Sequence, residues 1–335
     1  MESFTIAVAG DVMLGRLVNR VIQAQGPQYV WGDLLPLLRE ADLFLVNLEC
    51  TLTSRTEPWH DGGYKPFHFR AEPSAVDVLK VAGVDFACVA NNHIGDFGAQ
   101  GLIETVRVLD SAGIAHAGAG IDLAAAREAA VLEASGWRVA TISATDQARD
   151  SAAGETTPGT NYVQICTDKE DFAPVAESIR SARQRADLVI FTIHWGPNMR
   201  LRPTPDFRAF ARAVIHAGAD IFWGHSAHLV QGIEVRDGKP ILYDTGDFID
   251  DYAVDPELRN DLSALFLVRV RPPVVEKVMV IPVAIHHMQV NLAQGAESDF
   301  FVGRLAQLSS EMGTQTHIAE RGRVVLGTLG HAALK

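Results

Sequence analysis

Cysteine is scarce in this sequence. Only three of the 335 residues are cysteines, Cys50, Cys88 and Cys166, and no two of them form a CxxC pair. An odd and scattered set argues against a disulfide framework and indicates a reducing compartment. Cys88 lies within an apolar run, so we predict that it is a small core residue.

Positive charge is scarce as well. The chain has 29 Lys and Arg residues against 41 Asp and Glu residues, which gives a formal net charge of -12 at pH 7. Nucleic acids and anionic membranes are bound mainly through clustered Lys and Arg side chains. We therefore expect no nucleic-acid partner.

Long hydrophobic runs are also missing. No apolar run approaches the ~20 residues that a membrane-spanning helix needs. The N-terminus begins Met1-Glu2-Ser3-Phe4, without the basic and apolar segments of a signal peptide. We predict no membrane span and a cytoplasmic location.

The order of apolar segments predicts a mixed α/β fold. Strands alternate with helices at first, hairpin turns follow at Ser135-Gly136 and Asp237-Gly238, and antiparallel strands are expected at 263–270 and 274–285. This order favours two packed sheets with helices outside. We found no repeat and no linker, so residues 1–335 are predicted to form a single domain.

Helix limits follow from capping residues. Asp33 is expected to cap a short helix that ends at Leu38. Pro73 is expected to open a helix that Gly83 closes. The expected helix ends define the loops between the helices and the strands.

A polar side chain that can bind a metal follows each of five apolar runs. These side chains are Asp11, Glu49, Asn92 with its neighbour His93, His194, and the pair His225 and His228. The carboxyl ends of strands in an α/β sheet gather along one edge, so the side chains are expected to converge. Mixed nitrogen and oxygen donors suit Mn, Zn, Fe or Ca. The sequence therefore predicts a divalent metal site with one or two ions.

Two residues near this site have expected catalytic roles. A carboxylate bridges the ions of many hydrolytic two-metal sites, and Glu49 is the candidate bridge. His93 adjoins the expected ligand Asn92 and is the candidate general acid.

Other polar residues are assigned by position. Arg16 and Lys65 are candidates for binding an anionic substrate group, although a solvated loop face explains them equally well. Asp247 follows a strand and is expected to act in catalysis as a base, or to orient a ligand histidine. Seven other histidines are expected to be structural, namely His60, His116, His216, His286, His287, His317 and His331, whereas the role of His68 is left open.

Five motifs occur in order along the chain. They are Gly10-Asp11-Val12-Met13-Leu14-Gly15-Arg16, Asn47-Leu48-Glu49, Asn91-Asn92-His93, His194-Trp195-Gly196 and Gly224-His225-Ser226-Ala227-His228. This pattern resembles the CapA-like family, which is named for poly-γ-glutamate capsule biosynthesis and belongs to the calcineurin-like metallophosphoesterase superfamily. The resemblance covers about residues 4–270.

The resemblance implies an α/β fold of four layers, an α/β/β/α sandwich. It implies this arrangement: Asp11 and His228 at a first metal; Asn92, His194 and His225 at a second; Glu49 between them; and His93 as the acid. Two departures from the superfamily pattern are present. Met13 stands where a ligand histidine is usual, and two residues separate His225 from His228. The first departure favours a mononuclear centre.

Three functions agree with these residues. The first is a metal-dependent hydrolase that acts on a phosphoester or on a peptide-like, γ-glutamyl substrate by metal-activated water. The second is a metal-dependent peptide epimerase that uses acid/base chemistry. The third is a non-catalytic accessory protein of capsule or cell-envelope polymer synthesis. The expected partner of the first two is a small-molecule or peptide substrate.

Overall fold

The computed structural model describes residues 2–59, 65–319 and 323–326. His60 and His331 lie outside the described residues. The strands are β1 (Phe4–Val12), β2 (Leu43–Leu48), β3 (Thr51–Leu52), β4 (Arg70–Ala71), β5 (Phe86–Cys88), β6 (Ala115–Ala117), β7 (Ala119–Gly120), β8 (Ala130–Ala134), β9 (Trp137–Thr145), β10 (Gly159–Thr160), β11 (Leu188–His194), β12 (Ile221–His225), β13 (Ile233–Arg236), β14 (Lys239–Leu242), β15 (Asp247–Ile249), β16 (Leu262–Arg271), β17 (Val274–His286), β18 (Gln289–Leu292), β19 (Thr316–Ile318) and β20 (Val324–Leu326).

Eight α-helices lie between these strands in the described ranges. They are α1 (Arg16–Gln25), α2 (Leu35–Leu38), α3 (Val76–Ala82), α4 (Gly98–Ala112), α5 (Leu123–Arg127), α6 (Lys169–Arg185), α7 (Pro205–His216) and α8 (Gly295–Glu311). Short 3₁₀ helices cover Tyr29–Leu34, Pro73–Ala75 and Arg149–Ser151.

Two large sheets organise the chain. The first has the order β19-β20-β17-β16-β1-β2-β5-β6, with β15 beside β1 and β18 beside β17. Its strands β1, β2, β5 and β6 are parallel, whereas β16 and β17 are antiparallel. The second has the order β13-β14-β12-β11-β9-β8, with β9, β11, β12 and β14 parallel. Each sheet therefore has a parallel core with carboxyl strand ends along one edge.

Three apolar clusters separate four layers. The middle cluster joins the sheets face to face and includes Leu45 of the first and Trp223 of the second. One outer cluster packs α1, α3 and α4 on the first sheet, and Leu109 belongs to it. The other packs α6 and α7 on the second sheet through residues such as Phe210. The predicted α/β/β/α order is confirmed.

The parallel strands consist mostly of apolar residues because both of their faces are covered. Every residue of β2 and of β11 is buried. Continuous apolar runs are typical of parallel strands between two layers. A polar residue at the end of such a run therefore lies in a nearly dry environment.

Most predicted turns are confirmed, but the helix cap at Asp33 is wrong. β8 pairs with β9 and β13 with β14 as antiparallel hairpins, and Gly83 ends α3 in the left-handed conformation at φ 73°. Asp33 lies inside a 3₁₀ helix, and its carboxylate accepts a hydrogen bond from Leu292 N at 2.9 Å. Gly32, at φ 49° and ψ -128°, interrupts the helical backbone just before it. A long-range contact to β18 therefore replaces the local cap.

Within residues 2–59, 65–319 and 323–326, none of the helices combines the length and the apolar character that crossing a bilayer requires.

Candidate metal centre

Two register pairs meet where the carboxyl edges of the sheets face each other. Asp11 of β1 is opposite Asn47 of β2, and His194 of β11 is opposite His225 of β12. Asp11 Oδ1 lies 3.8 Å from His194 Nδ1 and 3.7 Å from His225 Nδ1. All four residues are buried. The fold therefore collects a carboxylate, an amide and two imidazoles at one point between the sheets.

Glycines before the ligand residues allow this close approach. A Cβ atom at Gly10 would lie 1.8 Å from Gly246 O, and one at Gly224 would lie 2.1 Å from Tyr243 O. Neither backbone oxygen can move far, because each belongs to the same packed edge. A larger residue at either position would displace the strand that carries Asp11 or His225.

The acidic and imidazole groups form two overlapping sets of possible metal ligands. One set is Asp11, His194 and His225, and the other is Asp11, Glu49 and His228; in each, the donor atoms lie within 4.8 Å of one another. Asp11 belongs to both sets. Glu49 Oε1 lies 3.6 Å from His194 Nε2, so it borders the first set as well. The bridging role of Glu49 stays a prediction, and the distances place Asp11 in the shared position.

Burial controls the charge of these groups. It raises the pKa of Asp11 well above its usual value, with the neighbouring Glu49 charge as the second cause. Burial also raises the pKa of Glu49 to about 8. In the opposite direction, burial lowers the pKa of His225 to about 3 and that of His194 well below its usual value. The imidazoles of His194 and His225 are therefore neutral, with lone pairs available.

This donor set fits a divalent cation. Neutral imidazoles and carboxylates bind Mn, Zn and Fe, and a positive ion would offset the cost of burying several carboxylates. Asp11 Oδ2 and Asn92 Oδ1 are buried and have no hydrogen-bond partner among the residues that the structure describes. Buried polar atoms of this kind call for a partner, and a metal ion supplies one.

The ligand histidines have neighbours that set their orientation. Thr192 Oγ1 lies 3.0 Å from His225 Nε2, which leaves Nδ1 toward Asp11. Asp247 Oδ1 lies 2.7 Å from His228 Nδ1. A carboxylate behind an imidazole fixes the tautomer of a metal-binding histidine. Asp247 was predicted to act as a base or to orient a ligand histidine. Its contact with His228 agrees with the second of these roles.

A chain of amides fixes Asp11. Asn91 Oδ1 accepts hydrogen bonds from the backbone N–H groups of His93 and Ile94, at 3.1 and 3.0 Å. Its amide nitrogen then donates to Asn47 Oδ1 at 3.2 Å, and Asn47 Nδ2 donates to Asp11 Oδ1 at 2.7 Å. Sequence reasoning missed Asn47 and Asn91 as site residues. Both residues lie in motifs that also contain expected ligands, and this position could have identified them as site residues.

A cavity of about 440 Å³ opens beside these donors. It is lined by Arg16, Phe67, Phe69, Asn92, His93, Asn198, Met199, His228, Tyr252, Ala253 and Asn260. His93 thus borders the cavity together with one ligand histidine. The cavity has room for a small group next to the candidate metal-binding residues.

His93 is held in place from two sides. Its Nδ1 lies 2.7 Å from Asp96 Oδ2, and its ring stacks on Phe69 with centroids 3.8 Å apart. Burial lowers the pKa of His93, while the Asp96 carboxylate opposes this shift. Sequence reasoning missed Asp96, which lies three residues after His93 in a turn. With Nδ1 engaged, Nε2 is the atom of His93 that remains for proton transfer.

The two predicted substrate-binding cations differ in position. Arg16 lines the cavity, its side chain is 37% exposed, and it forms an ion pair with Asp251 at 3.4 Å. Lys65 instead forms an ion pair with Asp96 and donates to the backbone oxygen of Asn92. Lys65 therefore binds residues on either side of His93 in the sequence. Arg16 is partly exposed at the opening of the cavity.

The fold and the donor set together describe a two-sheet α/β protein with a candidate metal centre at the sheet edge. Residues 5–252 match the family model of the bacterial capsule synthesis protein PGA_cap. The chain belongs to this family.

Three relatives illustrate the similarity. A probable polyglutamine synthesis accessory protein of Mycobacterium tuberculosis is 31% identical over 92% of both chains. The capsule biosynthesis protein CapA of Bacillus anthracis is 30% identical over 75% of this chain and 60% of its own length. The PGA biosynthesis protein CapA of Bacillus subtilis is 31% identical over 75% of this chain and 64% of its own length.

Proposed function

We propose that this chain is a metal-dependent hydrolase of the capsule-synthesis family. Its substrate is a phosphoester or a peptide-like, γ-glutamyl amide. One observation carries the proposal: Asp11 is shared by two sets of buried donors, and a cavity that contains His93 opens beside them. The cytoplasmic location stays a prediction.

The protein's own residues supply the metal site. Asp11, His194 and His225 would hold one divalent ion, and Asp11, Glu49 and His228 would hold a second. Asn92 would add its unpartnered amide oxygen. When bound, a divalent cation supplies Lewis acidity, which activates water for attack and stabilises developing negative charge.

His93 serves proton transfer at the cavity wall. Asp96 holds Nδ1, so the ring presents Nε2 for transfer to the leaving group. The lowered pKa of His93 makes its protonated form a strong acid toward that group. Asp96 stabilises the imidazolium before the proton leaves.

Arg16 orients the substrate at the mouth of the cavity. Its guanidinium lies over the Phe67 and Phe69 rings, at 5.5 and 5.7 Å from their centroids. Stacking in this way holds the charged group while its donors remain directed outward. An anionic substrate group would bind there, with the amide side chains of Asn198 and Asn260 on the same cavity wall.

The test is an assay of purified protein loaded in turn with Mn, Zn, Fe or Ca. Phosphoester and γ-glutamyl amide substrates are compared for the wild type, His93→Ala and His116→Ala. His116 Nε2 lies 3.1 Å from Asp110 Oδ1 at the surface, so it is a matched His–Asp pair far from the site. We expect His93→Ala to lose about 10²–10⁴-fold in rate with unchanged metal content, and His116→Ala to retain full activity. Absence of turnover with every metal and both substrates would contradict the proposal.

A non-catalytic accessory function is the second candidate. The mycobacterial relative that aligns over 92% of both chains is named a probable accessory protein. This candidate predicts that His93→Ala leaves polymer production by cells unchanged. The epimerase alternative is tested on the same samples, because it requires solvent deuterium at a substrate Cα without bond cleavage.

A further inference from the structure

Four aromatic rings that line the cavity form a row. The centroids of His93 and Phe69 are 3.8 Å apart, those of Phe69 and Tyr252 are 5.7 Å apart, and those of Tyr252 and His228 are 5.0 Å apart. The row joins the residue proposed for proton transfer to a proposed metal ligand. Tyr252 is the member that also reaches a carboxylate of the metal centre.

The hydroxyl of Tyr252 makes the two oxygens of Glu49 unequal. It donates a hydrogen bond to Glu49 Oε2 at 2.9 Å. The other oxygen, Oε1, lies 3.6 Å from His194 Nε2, among the metal-binding donors. One oxygen of Glu49 is therefore held by a hydrogen bond, and the other faces the centre.

Neighbouring residues of the same segment fix the position of Tyr252. Asp250 Oδ1 accepts a hydrogen bond from Tyr252 N at 2.7 Å. Asp251 Oδ2 accepts one from Leu17 N at 2.9 Å, and its Oδ1 pairs with Arg16 at 3.4 Å. The backbone just before Tyr252 is thus held by these contacts, so the hydroxyl has a defined place.

We propose that Tyr252 is a positioning residue that makes Glu49 a one-oxygen ligand. This inference rests on the proposed metal-dependent function. Carboxylates bind metals through one oxygen or through both. Because the hydroxyl donates to Oε2, Glu49 would bind an ion mainly through Oε1. Groups that hold a ligand from behind tune metal affinity strongly.

A purely structural role makes a different prediction. Packing of the ring against Phe69 and His228 would survive replacement by phenylalanine, because only the hydroxyl is lost. The chain contains a matched pair elsewhere: the hydroxyl of Tyr243 donates to Glu234 Oε2 at 2.8 Å, and Tyr243 is fully buried. Tyr243→Phe therefore removes an equivalent hydrogen bond away from the metal centre.

The test uses Co²⁺ as the probe with the full-length wild type, Tyr252→Phe and Tyr243→Phe. Calorimetry gives the affinity and stoichiometry, and the visible absorption of Co²⁺ reports the coordination number. We expect Tyr252→Phe to bind Co²⁺ about 10-fold more weakly, because the hydroxyl no longer orients the Glu49 carboxylate. We also expect a higher coordination number, because Oε2 of Glu49 is then available to the ion. Tyr243→Phe should match the wild type in both measurements.

A second comparison covers the case in which Tyr252→Phe perturbs the fold. In a Glu49→Gln background, Tyr252→Phe should leave the Co²⁺ spectrum unchanged, because the proposed effect passes through Glu49. A Tyr252→Phe spectrum and affinity equal to those of the wild type would overturn the role of Tyr252 alone. A wild type that binds no Co²⁺ would overturn the proposed function and this role together.

Discussion

Among the described residues, two clusters that contain histidine have the spacing of a metal site, and they differ in charge and burial. The candidate centre around Asp11 and His225 is buried, and both residues are 0% exposed. The other cluster consists of Asp261, His286 and Glu297 at the amino end of α8, and the His286 side chain is 49% exposed. Similar donor distances therefore occur in two very different environments.

The exposed cluster already has its cation. Arg259 binds both oxygens of Asp261, at 2.8 and 2.7 Å, and Glu297 Oε1 at 3.2 Å. No Lys or Arg side chain forms an ion pair with Asp11 or Glu49 among the residues that the structure describes. Donor spacing alone thus does not define a metal site. A lack of positive charge in a buried setting distinguishes the candidate centre.

The largest expected effect is a loss of metal binding when one histidine of the buried centre is replaced. His225→Ala removes a buried donor, and we expect it to weaken metal binding by more than about 100-fold. His286→Ala is the matched control and should leave metal binding unchanged, because Arg259 already neutralises its neighbours. Elemental analysis of the native proteins and calorimetry measure both. Equal metal content in the wild type and His225→Ala would contradict the contrast between the clusters.

Metal removal should change stability through the buried centre only. At a free metal concentration of about 100 times Kd, binding to the folded state adds about 2.7 kcal/mol to the free energy of unfolding. We expect this gain in the wild type and in His286→Ala, and its loss in His225→Ala. Denaturant unfolding with and without chelator measures it. A gain that persists in His225→Ala would place the ion elsewhere.

The contrast between the clusters also shows which features of the site could be predicted from the sequence. The buried donors were predictable because each follows a continuous apolar run, and the carboxyl ends of parallel strands meet at one sheet edge. His194 and His225 are found there, at the ends of β11 and β12. The order of strands and helices predicted two packed sheets with helices outside, and the family resemblance implied the four layers.

The supporting contacts were not predictable from local patterns. Asn47 and Tyr252 act through partners that are distant in the sequence; Tyr252 and Glu49, for example, are 203 residues apart. The failed cap at Asp33 has the same origin, since its partner Leu292 is 259 residues away. Periodicity and capping rules describe neighbours in sequence, and these contacts depend on the packed fold.

The pH dependence of stability should come from buried acids beside the centre. Burial raises the pKa of Asp244 to about 7 and that of Asp250 to about 6. Their unfolded pKa is about 3.9, so the folded metal-free protein binds more protons between about pH 4 and pH 7. These two acids should therefore lower its stability as the pH rises through this window, by roughly 3 kcal/mol for Asp250 as an upper figure, whereas the lowered pKa values of His194 and His225 act in the opposite direction.

Two variants isolate this effect. Asp250→Asn keeps an oxygen that accepts from Tyr252 N and should flatten the decline. Glu297→Gln, in the exposed cluster, should keep it. Denaturant unfolding of metal-free protein between pH 4 and pH 8 is the measurement. A wild-type stability that rises with pH relative to that of Asp250→Asn would contradict the assigned sign.

The smallest expected effect asks whether the exposed cluster becomes a metal site when its cation is removed. Arg259→Ala leaves Asp261, His286 and Glu297 without the guanidinium that now binds both carboxylates. We expect this variant to gain one weak Zn²⁺-binding event that the wild type lacks at the same position, because carboxylate and imidazole donors then lack a cation.

The gain should remain far weaker than binding at the buried centre, since water screens an exposed cluster and its side chains are less ordered. Calorimetry of Arg259→Ala and of Arg259→Ala with His286→Ala measures it, and the second substitution should abolish the added event. Arg212→Ala, which removes an arginine from Glu234 in a cluster without a histidine, is the control and should gain no site. An unchanged Zn²⁺ isotherm for Arg259→Ala would mean that burial, more than the missing cation, separates the two clusters.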